Sequence, residues 1–144
     1  MREALIRPDN IAHNIRVLHR AAGVGEAMLV VKADGYGHGA LTAARAGLDA
    51  GATWLGTADI DEALALRQAG IEAPILAWLI GPESAVAEAV DAGVDLGVSS
   101  LSQLEQVGRH ASVAKPANVH LKIDSGMGRG GVVEAEWEAV AARA

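Results

Sequence analysis

The chain has no cysteine and no phenylalanine, and its 144 residues include only three lysines, three tryptophans and one tyrosine. Without cysteine there is no disulfide, no thiol nucleophile and no cysteine-ligated metal. Positive charge is also scarce: 12 Lys and Arg against 18 Asp and Glu give a net charge of −6. The cations are scattered singly, so the chain carries no basic footprint for DNA or RNA. The longest wholly apolar run, Ile75 to Ile80, falls far short of the roughly 20 residues of a membrane span. The opening Met1-Arg2-Glu3-Ala4 lacks the apolar stretch of a signal peptide, and a cytoplasmic protein is expected.

What is present is a core built from small residues. Hydrophobic residues make up 51 % of the chain and charged ones 21 %, with 30 Ala and 17 Gly. That composition excludes disorder and suits closely approaching helices and strands within one domain.

Short apolar runs recur at Ala27–Lys32, Thr53–Thr57, Pro74–Leu79, Val94–Val98 and Asn118–Asp124, their starts 26, 21, 20 and 24 residues apart. Such spacing is that of βα units and too long for hairpins. Asp59–Glu62 and Ser100–Gln103 read as capping boxes. Asp9 reads as the cap of a helix to about Ala21, with Ile11, Ile15 and Leu18 on its buried face. Ala-Gly pairs at 46–47, 69–70 and 92–93 read as helix ends. A last helix is expected over Glu134–Ala144. Five βα units predict a parallel α/β sheet. Two architectures fit: a five-stranded doubly wound domain, or the first five units of a (β/α)8 TIM-type barrel with outer helices, whose full form needs about 250 residues.

Strands covered on both faces are nearly continuous in Val, Ile and Leu; the last two runs are not. Asn118, His120, Lys122 and Asp124 oppose Val119, Leu121 and Ile123, and Asp95, Gly97 and Ser99 oppose Leu96 and Val98. Lys32 shares a face with Met28 and Val30. A polar inner face is expensive to bury unpaired and reads as a site at the C-terminal mouth of a barrel, against the plainer alternative of a solvated edge strand.

Two constellations carry chemistry. In Val30-Val-Lys-Ala-Asp-Gly-Tyr-Gly-His-Gly-Ala40, Lys32 is followed four residues later by Tyr36 and flanked by Gly35, Gly37 and Gly39, a loop able to turn amides toward an anion. An amine desolvated in a cleft is a carbonyl nucleophile, which suits pyridoxal phosphate; a lysine at a strand end is otherwise an ordinary solvated residue. Gly35-x-Gly37-x-x-Ala40, with Asp59 beyond it, also satisfies a dinucleotide fingerprint, but Lys32-Ala33-Asp34 intervene between strand and glycine. In His120-Leu-Lys-Ile-Asp-Ser-Gly-Met-Gly-Arg-Gly-Gly131, Lys122 on the inner face and Arg129 in a glycine-rich loop repel unless one becomes anionic or an anion lies between them.

VVKADGYGHG and HLKIDSGMGRGG, about 90 residues apart, closely resemble the N-terminal half of bacterial alanine racemase, a fold-type III pyridoxal phosphate enzyme. DNIAHNIRVL, ATWLGTADIDEALALRQAGIEAPILAWL and DLGVSSLSQLE extend the resemblance over nearly the whole chain. Related amino-acid decarboxylases share the first motif in outline. The resemblance implies that Lys32 forms the Schiff base with pyridoxal 5'-phosphate and is a catalytic base. It makes Tyr36 a ligand of the cofactor phosphate. Arg129 would bind the cofactor's phenolic oxygen and the substrate carboxylate. Lys122 matches a lysine carbamylated in many members. Asp34 and His38 are assigned to loop structure. Gly35 stands where alanine is usual, and Gly130 where leucine or asparagine is common.

The resemblance further implies interconversion of L- and D-alanine, supply of D-alanine for peptidoglycan, and a homodimer. Residues 1–7 are then expected to be a strand belonging to a C-terminal β-domain outside this chain, and residues 8–144 an incomplete barrel. The opposite-face tyrosine base, the arginine on the pyridine nitrogen and most of the phosphate cup would also lie outside it. On this reading the chain by itself racemises alanine negligibly. The other readings are a non-catalytic pyridoxal phosphate-binding module, a related fold-type III decarboxylase and a dinucleotide-binding domain.

Overall fold

Pro8 opens the first element, α1 (Pro8–Ala22), because its missing N–H costs nothing at the first helical position. The N-cap is therefore Arg7, not Asp9 as the sequence suggests; Asp9 sits in the first turn, where its charge opposes the helix dipole. Gly23, at φ 65°, closes the helix by donating to His19. Ile15 is buried, whereas Leu18 is 65 % exposed, so the apolar face of α1 is narrower than its pattern predicts.

The computed structural model describes residues 2–144. Five strands follow in order, β1 (Met28–Val30), β2 (Trp54–Thr57), β3 (Ile75–Ala77), β4 (Asp95–Val98) and β5 (Val119–Leu121). Each pairs with its sequence neighbour, all parallel, in the spatial order β1-β2-β3-β4-β5. That order decides between the two expected architectures. Doubly wound sheets reverse direction at a switch point, giving orders such as 3-2-1-4-5-6 or 2-1-3-4-5. A strictly sequential sheet with right-handed crossovers puts every helix on one side, as in the start of a (β/α)8 barrel.

After β1 come α2 (Lys32–Gly37) and α3 (Ala40–Asp49), and after β2, α4 (Ile60–Gln68). Then α5 (Val86–Asp91) follows β3, α6 (Leu101–Gly108) follows β4, and α7 (Glu134–Arg143) follows β5. Asp59 and Ser100 cap α4 and α6 by accepting the amides of Glu62 and Gln103, as their spacing predicts. Gly70 and Gly93 adopt the left-handed conformation after their helices. Gly47 does not: it lies inside α3, and a Cβ there would stand 2.3 Å from Leu29 Cδ2. That pair marks a helix pressed onto a strand rather than a helix end.

The core lies between the sheet and its helices, where Val31, Leu55, Ile75, Leu96 and Val98 meet Ala44, Ile60, Ala63, Ala89 and Val107. At the end of the sheet opposite the strand C-termini, Arg67 donates to the carbonyls of Ile71, Ala73, Ala92 and Gly93. Burial holds its guanidinium below the ordinary arginine value, a shift that nearby Asp95 opposes. Residues 2–7 pair with no strand, and Leu5 is 68 % exposed; Met1, with which the expected N-terminal strand begins, lies outside the described residues.

Candidate active site

The first candidate residue follows β1 and opens a backbone that L-amino acids disfavour. Ala33, Asp34, Gly35 and Tyr36 have φ of 51°, 52°, 62° and 55°, so α2 is a single left-handed turn. A non-glycine residue loses about 1–2 kcal/mol in that conformation, about 3–6 kcal/mol for Ala33, Asp34 and Tyr36 together. Surrounding bonds hold the turn. Gly35 N–H donates to the Val31 carbonyl at 2.8 Å and Gly39 N–H to the Asp34 carbonyl at 2.9 Å. The Ala40 amide donates to Asp34 Oδ1 at 2.8 Å and the Ala33 amide to Glu62 Oε1 at 2.6 Å. His38 Nδ1 lies 2.8 Å from the Gly35 carbonyl. Asp34 and His38 thus work within the loop. The amides of Gly35 and Gly39, expected to face an anion, are spent inside it.

Residues four apart share a side of a helix of either hand, and this turn sets Lys32 and Tyr36 together. Lys32 Nζ lies 5.9 Å from the centre of the Tyr36 ring and 6.0 Å from that of Trp78. Lys32 is half-buried and Tyr36 is 59 % exposed. Trp78 carries no functional signal as one letter of an apolar run, yet it forms the surface under the amine. A Cβ on Gly56 would lie 2.6 Å from the Trp78 ring, and one on Gly97 2.7 Å from Trp78 Cα. Glycines on the two strands flanking β3 were the available signal, since an interior strand glycine marks a close approach.

The second constellation stands at the other edge of the sheet. Lys122 N–H continues the β5 ladder to Val98, and Val132 returns onto the strand by donating to the Lys122 carbonyl and accepting from Asp124 N–H. The intervening loop wraps the Asp124 carboxylate, which accepts the amides of Gly126 at 2.9 Å and Gly128 at 3.0 Å. Those amides, Gly128 first, hold the carboxyl below its ordinary range, and the Lys122 charge adds to them. A Cβ on Gly130 would lie 3.5 Å from Lys122 Nζ, so the Arg129 segment runs beside that amine. Arg129 is exposed and, among the described residues, has no ion-pair partner. Lys32 with Tyr36 and Lys122 with Arg129 therefore occupy the C-terminal ends of β1 and β5, with three strands between them.

The polar residues of the concave face are divided between its two ends. Asp95, 8 % exposed, accepts from Asn118 Nδ2 at 3.2 Å and lies 2.9 Å from His120 Nε2. The His120 ring meets Trp54 edge-on at 5.7 Å. This cluster is centred on Asp95, where β4 begins, and satisfies itself.

Comparison with known proteins places this geometry. The family model for the alanine racemase N-terminal domain matches residues 6–144. The chain belongs to that family. Alanine racemase from Thermobifida fusca is 54 % identical over 141 residues, covering 97 % of this chain and 38 % of the relative. The solved alanine racemase of Streptomyces coelicolor A3(2) superposes with a TM-score of 0.92 at 45 % identity, covering 96 % of this chain and 38 % of that one. A histidine racemase from Leuconostoc mesenteroides subsp. sake shares the framework at 26 % identity, with a TM-score of 0.84 over 94 % of this chain and 37 % of the other. The chain thus spans a little over a third of the length of the racemases it matches. Its sheet is the start of the alanine racemase barrel, and the doubly wound and dinucleotide-binding readings are set aside.

Proposed function

We propose that this chain is the part of a pyridoxal phosphate-dependent alanine racemase that holds the cofactor and one of two acid–base groups. The observation that carries the reading is Lys32: a half-buried amine at the mouth of the sheet, fixed by a left-handed turn beside a tyrosine and over a tryptophan. The residues fit such a cofactor. Among the described residues the only ion pairs are Lys115–Asp91 and His120–Asp95, so no carboxylate neutralises the Lys32 amine. Its exposed neighbour Tyr36 offers a phenol for the phosphate.

When bound, pyridoxal phosphate supplies an electron sink that makes the Cα proton of an amino acid acidic. Lys32 would anchor the cofactor covalently and then take or return that proton on one face. Tyr36 would hold the phosphate. Arg129 would bind the phenolic oxygen and the substrate carboxylate. Loss of a proton from the Lys122 ammonium, followed by addition of carbon dioxide to the neutral amine with loss of a second proton, would replace that cation with a carbamate anion able to hold Arg129. The opposite-face base, the remaining cofactor contacts and a homodimer belong to the whole racemase, as does a cytoplasmic location; family membership supports them.

Two measurements test this reading. Borohydride reduction of the chain with pyridoxal phosphate, followed by peptide mapping, should label Lys32; label on Lys115 or Lys122 alone would refute it. The chain joined to the remaining two-thirds of the Thermobifida fusca relative should form D-alanine from L-alanine, and Lys32→Ala should abolish this. Turnover of histidine with alanine untouched would redirect the substrate assignment.

A further inference from the structure

Glu62 reads as the second half of a capping box, in which its side chain would return to the amide of the capping residue. It goes elsewhere. Oε1 accepts the Ala33 amide at 2.6 Å and Oε2 the Ala58 amide at 2.9 Å. Ala33 is the residue after Lys32 and the first of the left-handed stretch. The Ala58 carbonyl in turn accepts the amide of Leu79 at 2.8 Å, next to Trp78. One carboxylate thus ties the amine-bearing turn to the segment that carries the ring beneath the amine.

The same helix position recurs two units later. Gln103 accepts the Ser99 amide at 2.7 Å and donates to the Ile80 carbonyl at 2.8 Å. Each side chain grips the residue before its own cap and reaches back one loop. The chemistry differs because the targets differ. Gln103 faces one N–H and one C=O and needs a donor and an acceptor; Glu62 faces two N–H groups and needs two acceptors.

We propose that Glu62 is a positioning residue for the Lys32 amine, its two oxygens holding α2 in the left-handed turn that aims Lys32 over Trp78. This rests on the reading of Lys32 as the cofactor lysine. A neutral amide cannot replace the carboxylate, since its NH2 would confront an N–H that it cannot satisfy.

The test compares Glu62→Gln, Glu62→Ala and, as a control losing the equivalent staple elsewhere, Gln103→Ala. The chain is treated with pyridoxal phosphate and cyanoborohydride, and the initial labelling rate of Lys32 is divided by that of Lys115 in the same molecule. Amide exchange at Ala33 is followed in parallel. Both Glu62 variants should lower the ratio about tenfold or more, since displacement of a reacting group by about 1 Å costs up to about 10²-fold. Ala33 exchange should accelerate in both, while Gln103→Ala leaves both readouts unchanged. An unchanged ratio in the Glu62 variants, or an equal fall in Gln103→Ala, would overturn the proposal. Absence of label at Lys32 in the unsubstituted chain would instead overturn the cofactor assignment. Ala33 exchange then still decides the clamp: acceleration in the Glu62 variants upholds it and no change overturns it.

Discussion

The two faces of the sheet are drawn from the same strands and built by opposite rules. Toward the helices, Leu55, Ile75, Ala77, Leu96 and Val98 are fully shut from water. Toward the concavity, Met28 is 39 % exposed, and Gly56 and Gly97 give up side chains altogether so that Trp78 can lie across them. Close packing on one face leaves the other free to carry amines, a phenol and glycines that add little to stability. The outer face holds the fold; the inner face carries the residues proposed for the chemistry.

Substitutions on the closed face and at the open C-terminal end of the sheet, where Leu79 is 55 % exposed, should separate by magnitude. Leu55→Ala removes a fully buried side chain and should cost about 2–5 kcal/mol in urea unfolding, whereas Leu79→Ser should stay within about 0.5 kcal/mol. Equal losses would erase the distinction. Gly97→Ala puts a methyl group against the backbone of Trp78 and should cost about 1–3 kcal/mol. If it is neutral, the concave face is less rigid than its contacts imply. At the rim, Asp59→Ala should cost about 1 kcal/mol by leaving the Glu62 amide uncapped.

The smallest effect is a titration. Asp124 is held below its ordinary range, so its loop bonds are present above the unfolded carboxyl value and are lost as pH falls through the lower folded value. The amide resonances of Gly126 and Gly128 should shift together at a pH below the ordinary aspartate value of about 3.9. A transition at that ordinary value would show the loop to be open in solution.

The outer face was legible in the sequence because burial on a strand leaves a period, and 20 to 26 residues between runs leave room for a helix. The caps at Asp59 and Ser100 were legible because a cap is local. The left-handed turn was not. Gly35, Gly37 and Gly39 suggested a flexible anion-binding loop, and nothing in Ala33, Asp34 or Tyr36 announces a backbone that all three disfavour. What permits it is Glu62, 29 residues away from Ala33. Gly47 misled for a similar reason, since a glycine required by a facing Leu29 looks in one dimension like a glycine that ends a helix. The polar alternation in β4 and β5 was read as one mouth because period 2 reports a face and says nothing about which end of the strand a group occupies. The cluster centred on Asp95 belongs to the far end.

The strictly sequential strand order also bears on how the chain acquires its shape during synthesis. Every strand finds its partner in the segment made just before it, so no strand waits for a distant stretch of polypeptide. At translation rates of about 5–20 residues per second, the spacing between runs leaves on the order of seconds for each new strand to settle onto the last. The wall can grow in the order in which it leaves the ribosome, and the turn after Lys32 is clamped only once Glu62, on the helix after the second strand, has been made.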